Sequence, residues 1–534
     1  MAVCHVIPGM TLSRTPGILS RPREAARPAP DRPPRRQLAP RAAQLAAALA
    51  GVVAIGAYLF VALSRLDYPF ALESLEGNSL VEVHRILAGQ PLYPAPTAGY
   101  VPDGYPPFYF YVSAAVARVL GTSYLSLRLV SLVSSLACFA LLARLVQRET
   151  GSIAAGTGAA GVFAATYFAA GTWFDVGRVD SLFLALSIGG LYAARHMRGT
   201  RGAIAVGALL AAAALTKQTG LAEVVVVTAA LLTGPRRRLA CVAALTEVAV
   251  LGVSTLAIKL ASGGWYTYYI FKQMSQHALT YGNFGWFWTA LLTATGLAAC
   301  AALIGARRVP RELLAGCAAL AVEGYVTLVQ SGGTINDMLP AYLAVALLAG
   351  LALGGGSDRG KARWATTVAG ALVLAQSVFL LASSHPSQAI PTSADRAAGE
   401  RLVAGMRAFG GDVVDPADPS LSLLAGVAPA AVPGAVYDVL RATDKSGITS
   451  YRHSADEAVK ARKFSAIIDE GAGQPLYNPS GLTRYYHECV QPVPTLLVPV
   501  ARSRARAAVV WIPWTSGSCQ DAIRILDGGK AVGS

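Results

Sequence analysis

The sequence predicts an α-helical polytopic membrane protein of about eleven transmembrane helices, followed by a small extracytoplasmic α/β domain. Three observations predict it. Of the 534 residues, 54% are hydrophobic and only 14% charged, against about 25% charged in soluble globular chains. The apolar residues fall in runs of about twenty, the length that crosses ~30 Å of hydrocarbon. Beyond residue 385, Pro and charged residues become frequent and helix and strand periods mix. The predicted organisation is a tail (1–37), a membrane domain (38–384) with a long outer loop at 64–123, and a soluble domain (385–534).

The net charge of +15 does not indicate nucleic acid. The basic residues sit in the tail and in short loops between apolar runs, the distribution that orients membrane proteins. Residues 1–37, rich in Pro, Arg and Ala without apolar periodicity, read as a disordered cytoplasmic tail. They are not a secretory signal, because the next apolar run is too long and lacks a clear cleavage site. A start codon assigned upstream of the true one is the alternative. Arg35, Arg36 and Arg41 place the start of the first span, 38–63, inside, so loop 64–123 lies outside.

Segment 108–120 decides the remaining topology. It is apolar but short, and it follows Pro106-Pro107. If it does not span, the loops bearing Arg144/Arg148, Arg195/Arg198/Arg201, Arg236/Arg237/Arg238, Arg307/Arg308/Arg311 and Arg359/Lys361/Arg363 all fall inside. If it spans, all fall outside. The positive-inside rule selects the first, so 108–120 is read as an interfacial helix. The other spans are 125–147, 152–172, 181–195, 202–216, 219–234, 239–261, 286–306, 313–331, 338–355 and 364–384. In the C-terminal domain, 394–409 and 456–463 read as helices, 464–469 and 507–513 as strands. It carries no phosphate loop or metal motif. Cys4, Cys138, Cys241, Cys300 and Cys317 lie in the tail or in apolar segments without metal-ligand spacing. Cys489 and Cys519 lie in the polar region, and outside the cytoplasm they are able to pair.

Polar chemistry collects in the outer loops. Loop 64–123 holds Asp67, Glu73, Glu76 and Glu82, then GQPLYP and the GYPP of 104–107. The others are WFDVGRVD (173–180), TKQTG (216–220), the aromatic-rich 262–288 and QSGGTIND (330–337). A carboxylate at a membrane mouth can take or hold the proton of an acceptor hydroxyl. Glu76 is the best single catalytic candidate. Glu73, three residues before it, shares its face if the segment is helical. The alternative is that both are solvated acids at the start of an amphipathic helix. Asp175, Arg178 and Asp180 form a second group, where acids are expensive unless paired or wet. Asp180 is a second catalytic carboxylate and Arg178 a phosphate partner, or Arg178 simply neutralises Asp180. Lys217, beside Gln218 and Thr219, either snorkels to the interface or holds a phosphate as a point charge. Loop 262–288 reads first as an interfacial belt, with Lys272 and His277 as candidates lining a donor or acceptor groove. Glu247 and Glu323 lie inside spans, with no partner evident in the sequence. No ligand spacing demands a metal and no cofactor is required, though paired acids near a phosphate can recruit a divalent cation.

The succession EGN…ILAGQPLY…GYPPFYFY, SLRLVSLVSSLACFALLARL, GRVDSLFLAL and ALTKQTGLA resembles the GT-C glycosyltransferases that use lipid-phosphate sugars. These include protein mannosyltransferases, the lipid A aminoarabinose transferase and rhizobial galacturonosyltransferases. The resemblance covers residues 50–350. It implies a GT-C-like fold and an inverting hexosyl- or pentosyltransferase in the cell (plasma or inner) membrane. The donor would be a polyprenyl-phosphate-linked sugar on the extracytoplasmic face, the acceptor a glycan, lipid or protein. It implies that Glu76 matches the acid of the first outer loop, Asp180 the acid after the third helix, and Lys217 the lysine that meets the donor phosphate. It also matches 106–120 to an interfacial segment and Asn336-Asp337 to a polar helix entry. Two departures stand out. Leu75-Glu76 replaces an Asp-Glu pair, so a carboxylate is missing unless Glu73 substitutes, and Tyr105 replaces the Lys of Lys-Pro-Pro, so one basic group is missing. Either change bears on donor choice. Competing classes are a transporter or flippase, with inverted repeats and polar residues at mid-bilayer, and a non-enzymatic envelope-assembly protein that tolerates Glu76→Gln. The sequence shows no clear repeat, and its polar residues cluster at one face.

Overall fold

The first outer loop is anchored by α1 (Leu38–Arg65) and contains two helices of its own, α2 (Glu76–Leu87) and α3 (Phe108–Leu120). The computed structural model describes residues 38–526 apart from 74, 306–308, 356–359, 470–475, 477–480, 494–496, 499–502 and 505–507. The expected N-terminal tail with Cys4, Arg35 and Arg36, and the loop residues Arg307, Arg308 and Arg359, lie outside the described residues.

The chain continues through α4 (Tyr124–Thr150), α5 (Ile153–Ala165), α6 (Asp180–His196), α7 (Gly199–Thr216), α8 (Leu221–Leu232) and α9 (Arg237–Ala261). A single turn, α10 (Trp265–Thr267), leads to α11 (Tyr281–Gly305), α12 (Arg311–Val329), α13 (Leu339–Gly354) and α14 (Gly360–Ala382). Among the described residues, 8 helices are long and apolar enough to cross a membrane. The other three segments of the eleven-span reading are the shorter α5, α6 and α8, of 13, 17 and 12 residues. At 1.5 Å per residue these reach about 18–26 Å. Their shortness leaves irregular backbone at 166–179 and 217–220, and that backbone carries functional side chains. The lipid-facing surface is apolar: α9 exposes Leu245, Val248, Val253, Leu256 and Leu260. Inside, small residues let backbones meet. A Cβ on Gly161 of α5 would lie 1.9 Å from the Gly51 Cα of α1.

α3 buries Tyr109, Phe110, Ala114 and Ala117 and exposes Tyr111, Val119 and Leu120. That is the two-faced pattern of a helix lying in an interface. Arg144, Arg148, Arg195, Arg198, Arg236, Arg237, Arg238 and Arg311 gather at the helix ends remote from the first outer loop. Five of them line a cavity of about 1500 Å³ there.

After α14 come α15 (Ser393–Phe409), β1 (Asp412–Val414), α16 (Pro419–Ala425), α17 (Pro433–Leu440), α18 (Lys445–Lys460) and β2 (Phe464–Asp469). The chain ends with α19 (Leu482–Tyr485), β3 (Tyr486–Val493), β4 (Leu497–Val498), β5 (Ser503–Arg504), β6 (Ala508–Pro513) and α20 (Cys519–Leu526). α15 starts at a Thr392–Asp395 capping box. The sheet order is β1-β2-β6-β3, with β1–β2 parallel and the other pairs antiparallel. The expected strands at 464–469 and 507–513 are its two central members. The helix expected at 456–463 is the last part of α18, which stops at Lys460, and Arg462 has a left-handed φ of 48°. Cys489 and Cys519 are joined as a disulfide linking β3 to α20.

Residues 385–534 do not stand apart. The Tyr124 and Ser420 hydroxyls bond at 2.5 Å, Gly399 packs on the Phe70 ring, and Gly77 of α2 admits the Asp418 carboxylate. Ala39–Ser534 forms one compact unit.

Candidate active site

A cavity of about 380 Å³ opens where loop 64–123, the turn after α7, the segment before α11, the segment after α12 and helix α17 meet. Lys217 lines it. α7 ends there because Lys217 takes extended dihedrals, φ −141° and ψ 119°. The residue is 3% exposed. Its Nζ lies 3.2 Å from Asp180 Oδ1 and 3.3 Å from Asp337 Oδ1. Two carboxylates thus compensate the burial of one ammonium, and snorkelling is excluded. Asp180 opens α6 and also accepts from Asn336 Nδ2 at 3.3 Å. Asp337 is fixed by Thr334, whose N–H it accepts at 3.0 Å. Gln218 donates to the Gly104 carbonyl at 2.9 Å, tying this turn to the GYPP loop.

Arg178 makes its direct ion pair with Glu73 rather than Asp180. Its Nη1 donates to Glu73 Oε2 at 2.8 Å and its Nη2 to the Tyr105 hydroxyl at 3.1 Å. Tyr105 lines the cavity, and Glu73 stands behind it through this arginine. Asp175 belongs to a different pair, gripped by Arg65 at 2.8 Å on both carboxylate oxygens.

Glu76, the residue the sequence singles out as the catalytic acid, is sealed from the cavity. It is 0% exposed. Arg128 donates to both its oxygens at 2.9 Å. The Leu72 and Gly177 N–H groups add bonds of 2.6 and 2.7 Å. A carboxylate offers about four lone-pair directions, and all are taken, so none is left for an acceptor hydroxyl. The catalytic reading of Glu76 is corrected on that ground. Gly177 permits the approach, since a Cβ there would lie 3.0 Å from Glu76 Oε1.

The far wall comes from the C-terminal region, through Asp438 and Arg441. Arg441 donates to Ser331 Oγ at 2.6 Å and to His277 Nδ1 at 3.0 Å, and it contacts Asp438. Burial and the neighbouring Arg441 lower the His277 pKa to about 4. Burial raises Asp438 to about 7 against the pull of Arg441. Lys272 is not brought to this cavity. It is half exposed, pairs with Asp444, and lines a separate depression. Asp67 is likewise outside, exposed and paired with Arg396 at 3.2 Å.

The intramembrane acids find hydroxyl partners. Thr228 donates to Glu247 at 2.9 Å, Thr219 to Glu323 at 2.6 Å and Ser187 to Glu223 at 2.5 Å. Sequence reasoning missed Asp103, Asp438 and Arg441. The Asp-Gly step just before Tyr-Pro-Pro is a signal for Asp103. Nothing in the sequence marks the other two. Among the described residues, His487, Cys489 and Cys519 are the one group of three ligand-type side chains. Its thiols are spent on the disulfide, and it is not at the cavity.

A family model described as dolichyl-phosphate-mannose-protein mannosyltransferase matches residues 104–265. No curated protein matches the chain in sequence. Among solved structures the chain is similar to ArnT from Cupriavidus metallidurans bound to undecaprenyl phosphate. The identity is 12%, with 88% of this chain and 99% of that one covered and a TM-score of 0.58. Apo ArnT gives 14% identity, 86% and 97% coverage and a TM-score of 0.56. The oligosaccharyltransferase AglB from Archaeoglobus fulgidus gives 12% identity, 79% and 70% coverage and a TM-score of 0.46. The superposition on the two ArnT structures shows that the chain has the GT-C fold.

Proposed function

We propose that the chain transfers a sugar from a polyprenyl phosphate to a glycan, lipid or protein acceptor of the cell envelope. The position of Lys217 carries this reading. It is a buried cation at the end of a span, on the wall of an open cavity among the outer loops. A polyprenyl phosphate keeps its tail in the bilayer and presents its phosphate at that level. The undecaprenyl phosphate bound to the ArnT structure supports this donor class.

The chemistry follows from the leaving group. The acceptor oxygen attacks the anomeric carbon, a carboxylate takes its proton, and the C–O bond to phosphate breaks with its electron pair. One displacement inverts the anomeric centre. Lys217 and the Arg178–Tyr105 pair meet the phosphate charge. The leaving group is a lipid phosphate, so no glycine-rich nucleotide loop is needed. Arg441 and His277 stand on the opposite wall, the acceptor side. The cavity faces outward, because the arginine-rich helix ends belong in the cytoplasm and the Cys489–Cys519 bond suits an oxidising compartment.

The test is sugar transfer by membranes carrying wild type or Lys217→Met, fed a panel of radiolabelled polyprenyl-phosphate sugars, with insertion checked in parallel. The reading stands if the wild type consumes a donor and the inserted variant does not. It is overturned if the wild type carries a lipid-linked sugar across proteoliposomes without transferring it. Chelation in the same assay reads cation dependence: loss of transfer, restored by Mg²⁺ or Mn²⁺, assigns a divalent ion to the site.

A further inference from the structure

Most carboxylates around the cavity are held by a cation. Asp180 and Asp337 hold Lys217, Glu73 holds Arg178, and Asp438 holds Arg441. Asp103 differs. It lines the cavity and is 3% exposed. Its Oδ1 accepts from Asn78 Nδ2 at 2.8 Å. Its Oδ2 is buried and takes no donor from the described residues; Asp180 Oδ2 is in the same state, but Asp180 carries Lys217 on its other oxygen and does not line the cavity. Its backbone N–H donates to Glu82 Oε1 at 2.8 Å. Glu82 is 0% exposed, and its Oε2 also takes no donor. Leu75, on the same cavity, offers no proton acceptor.

From this geometry we infer that Asp103 is the base that receives the acceptor proton, with Glu82 as the positioning residue behind it; the inference rests on the transferase reading above. Asp103 Oδ2 takes the hydroxyl proton as the acceptor oxygen bonds to the anomeric carbon. The bond to the lipid phosphate breaks, and its electron pair leaves with the phosphate. The proton passes from Asp103 to water after product departs.

The electrostatics fit a base. Burial raises Asp103 to about 6, opposed by Arg178 and Asn78 and reinforced by Glu73. Burial and the Asp103 charge push Glu82 well above its ordinary value. Glu82 is thus the more reluctant of the two to ionise, and Asp103 the member that gives up its proton first. The charged groups facing the pair are Arg178 from loop 173–180, Glu73 before α2, Arg85 on α2 and Asp438 on α17.

The full chain in proteoliposomes, with the donor that wild type consumes, tests this. Asp103→Asn keeps the Asn78 bond and is expected to lower kcat by about 10²–10⁴-fold. Donor KM should stay within threefold, and the acid limb of the pH profile should vanish. Glu82→Leu is expected to lower kcat about tenfold, and Glu82→Gln, which still accepts the Asp103 N–H, to restore it. A folded Asp103→Asn protein that transfers within threefold of wild type overturns the inference while leaving the transferase reading intact. If Asp103→Asn does not insert, Asp103→Glu serves instead: a fall in kcat at unchanged donor KM supports the base, and a wild-type rate overturns it. A wild type that consumes no donor defeats the transferase reading, and the base assignment falls with it.

Discussion

Arg128 and Glu76 form a two-point ion pair with neither side chain exposed, 2.9 Å on each side. The pair locks α4 to the start of α2. Arg128 also donates to the Tyr68 and Phe70 carbonyls at 2.5 and 2.6 Å, so the entry to the first outer loop hangs from one guanidinium.

Glu76→Gln should therefore act on folding. Removing one partner of a buried pair strands the other charge and costs about 3–5 kcal/mol. Lower yield and a lower melting temperature in detergent are expected for Glu76→Gln and for Arg128→Met. The double variant should lose clearly less than the sum of the two. A Glu76→Gln protein as stable as wild type contradicts the bracing role.

Gly332 makes room for Arg441. Its φ is +95°, and a Cβ there would lie 2.9 Å from Arg441 Nη2. Gly332→Ala is expected to destabilise by about 1 kcal/mol or more and to push the guanidinium off the cavity wall. In the transfer assay, acceptor KM should rise several-fold while donor KM holds. An unchanged acceptor KM would place Arg441 outside the acceptor path.

Acid should weaken the His277 wall. Its folded pKa is lowered to about 4 from an ordinary 6.5, so the unfolded chain binds the proton more readily. That contribution is complete above pH 6.5 and is lost as pH falls toward 4. Asp438, raised from 3.8 to about 7, works in the opposite sense across the whole of this window. The difference between wild type and His277→Gln isolates the histidine. Thermal melts from pH 7.5 to 4.5 should show the gap between the two closing, or reversing, on the acid side.

Reducing the Cys489–Cys519 bond opens a loop with a sequence separation of 30, worth roughly 3–4 kcal/mol in the chain-entropy picture. Dithiothreitol or Cys519→Ser should expose the segment around β3 and α20 to limited proteolysis, with the membrane helices still intact. Equal protection in reduced and oxidised protein would show that packing alone holds this edge.

Much of the fold was legible because its cause is local. Runs of apolar residues must cross or lie on a bilayer wherever they occur. The two-faced 108–120 segment and strands 464–469 and 508–513 carry their periods in their own residues. Lys217 was legible only as a candidate: a lysine in a short turn between apolar helices either snorkels or turns inward, and the carboxylates that turn it inward, Asp180 and Asp337, are far off in sequence. The roles of the acids were not. Glu73, Glu76, Glu82 and Asp103 lie in one outer loop and look alike in sequence. What separates them is which donors reach them. Gly177 and Arg128 for Glu76 and Arg178 for Glu73 come from beyond the loop, while Asp103 has only Asn78 of the loop itself.

The sequence by itself therefore determined the class of the molecule, a helical polytopic membrane protein, and named Lys217 among the candidates without deciding where its side chain goes. Hydropathy, positive charge and helix length act residue by residue along the chain. Only the tertiary structure decided which carboxylate is paired with which cation, and that α17, more than 200 residues downstream of Lys217, lines the cavity. Burial and ion pairing depend on partners brought together through space, and a short-range pattern holds no record of them.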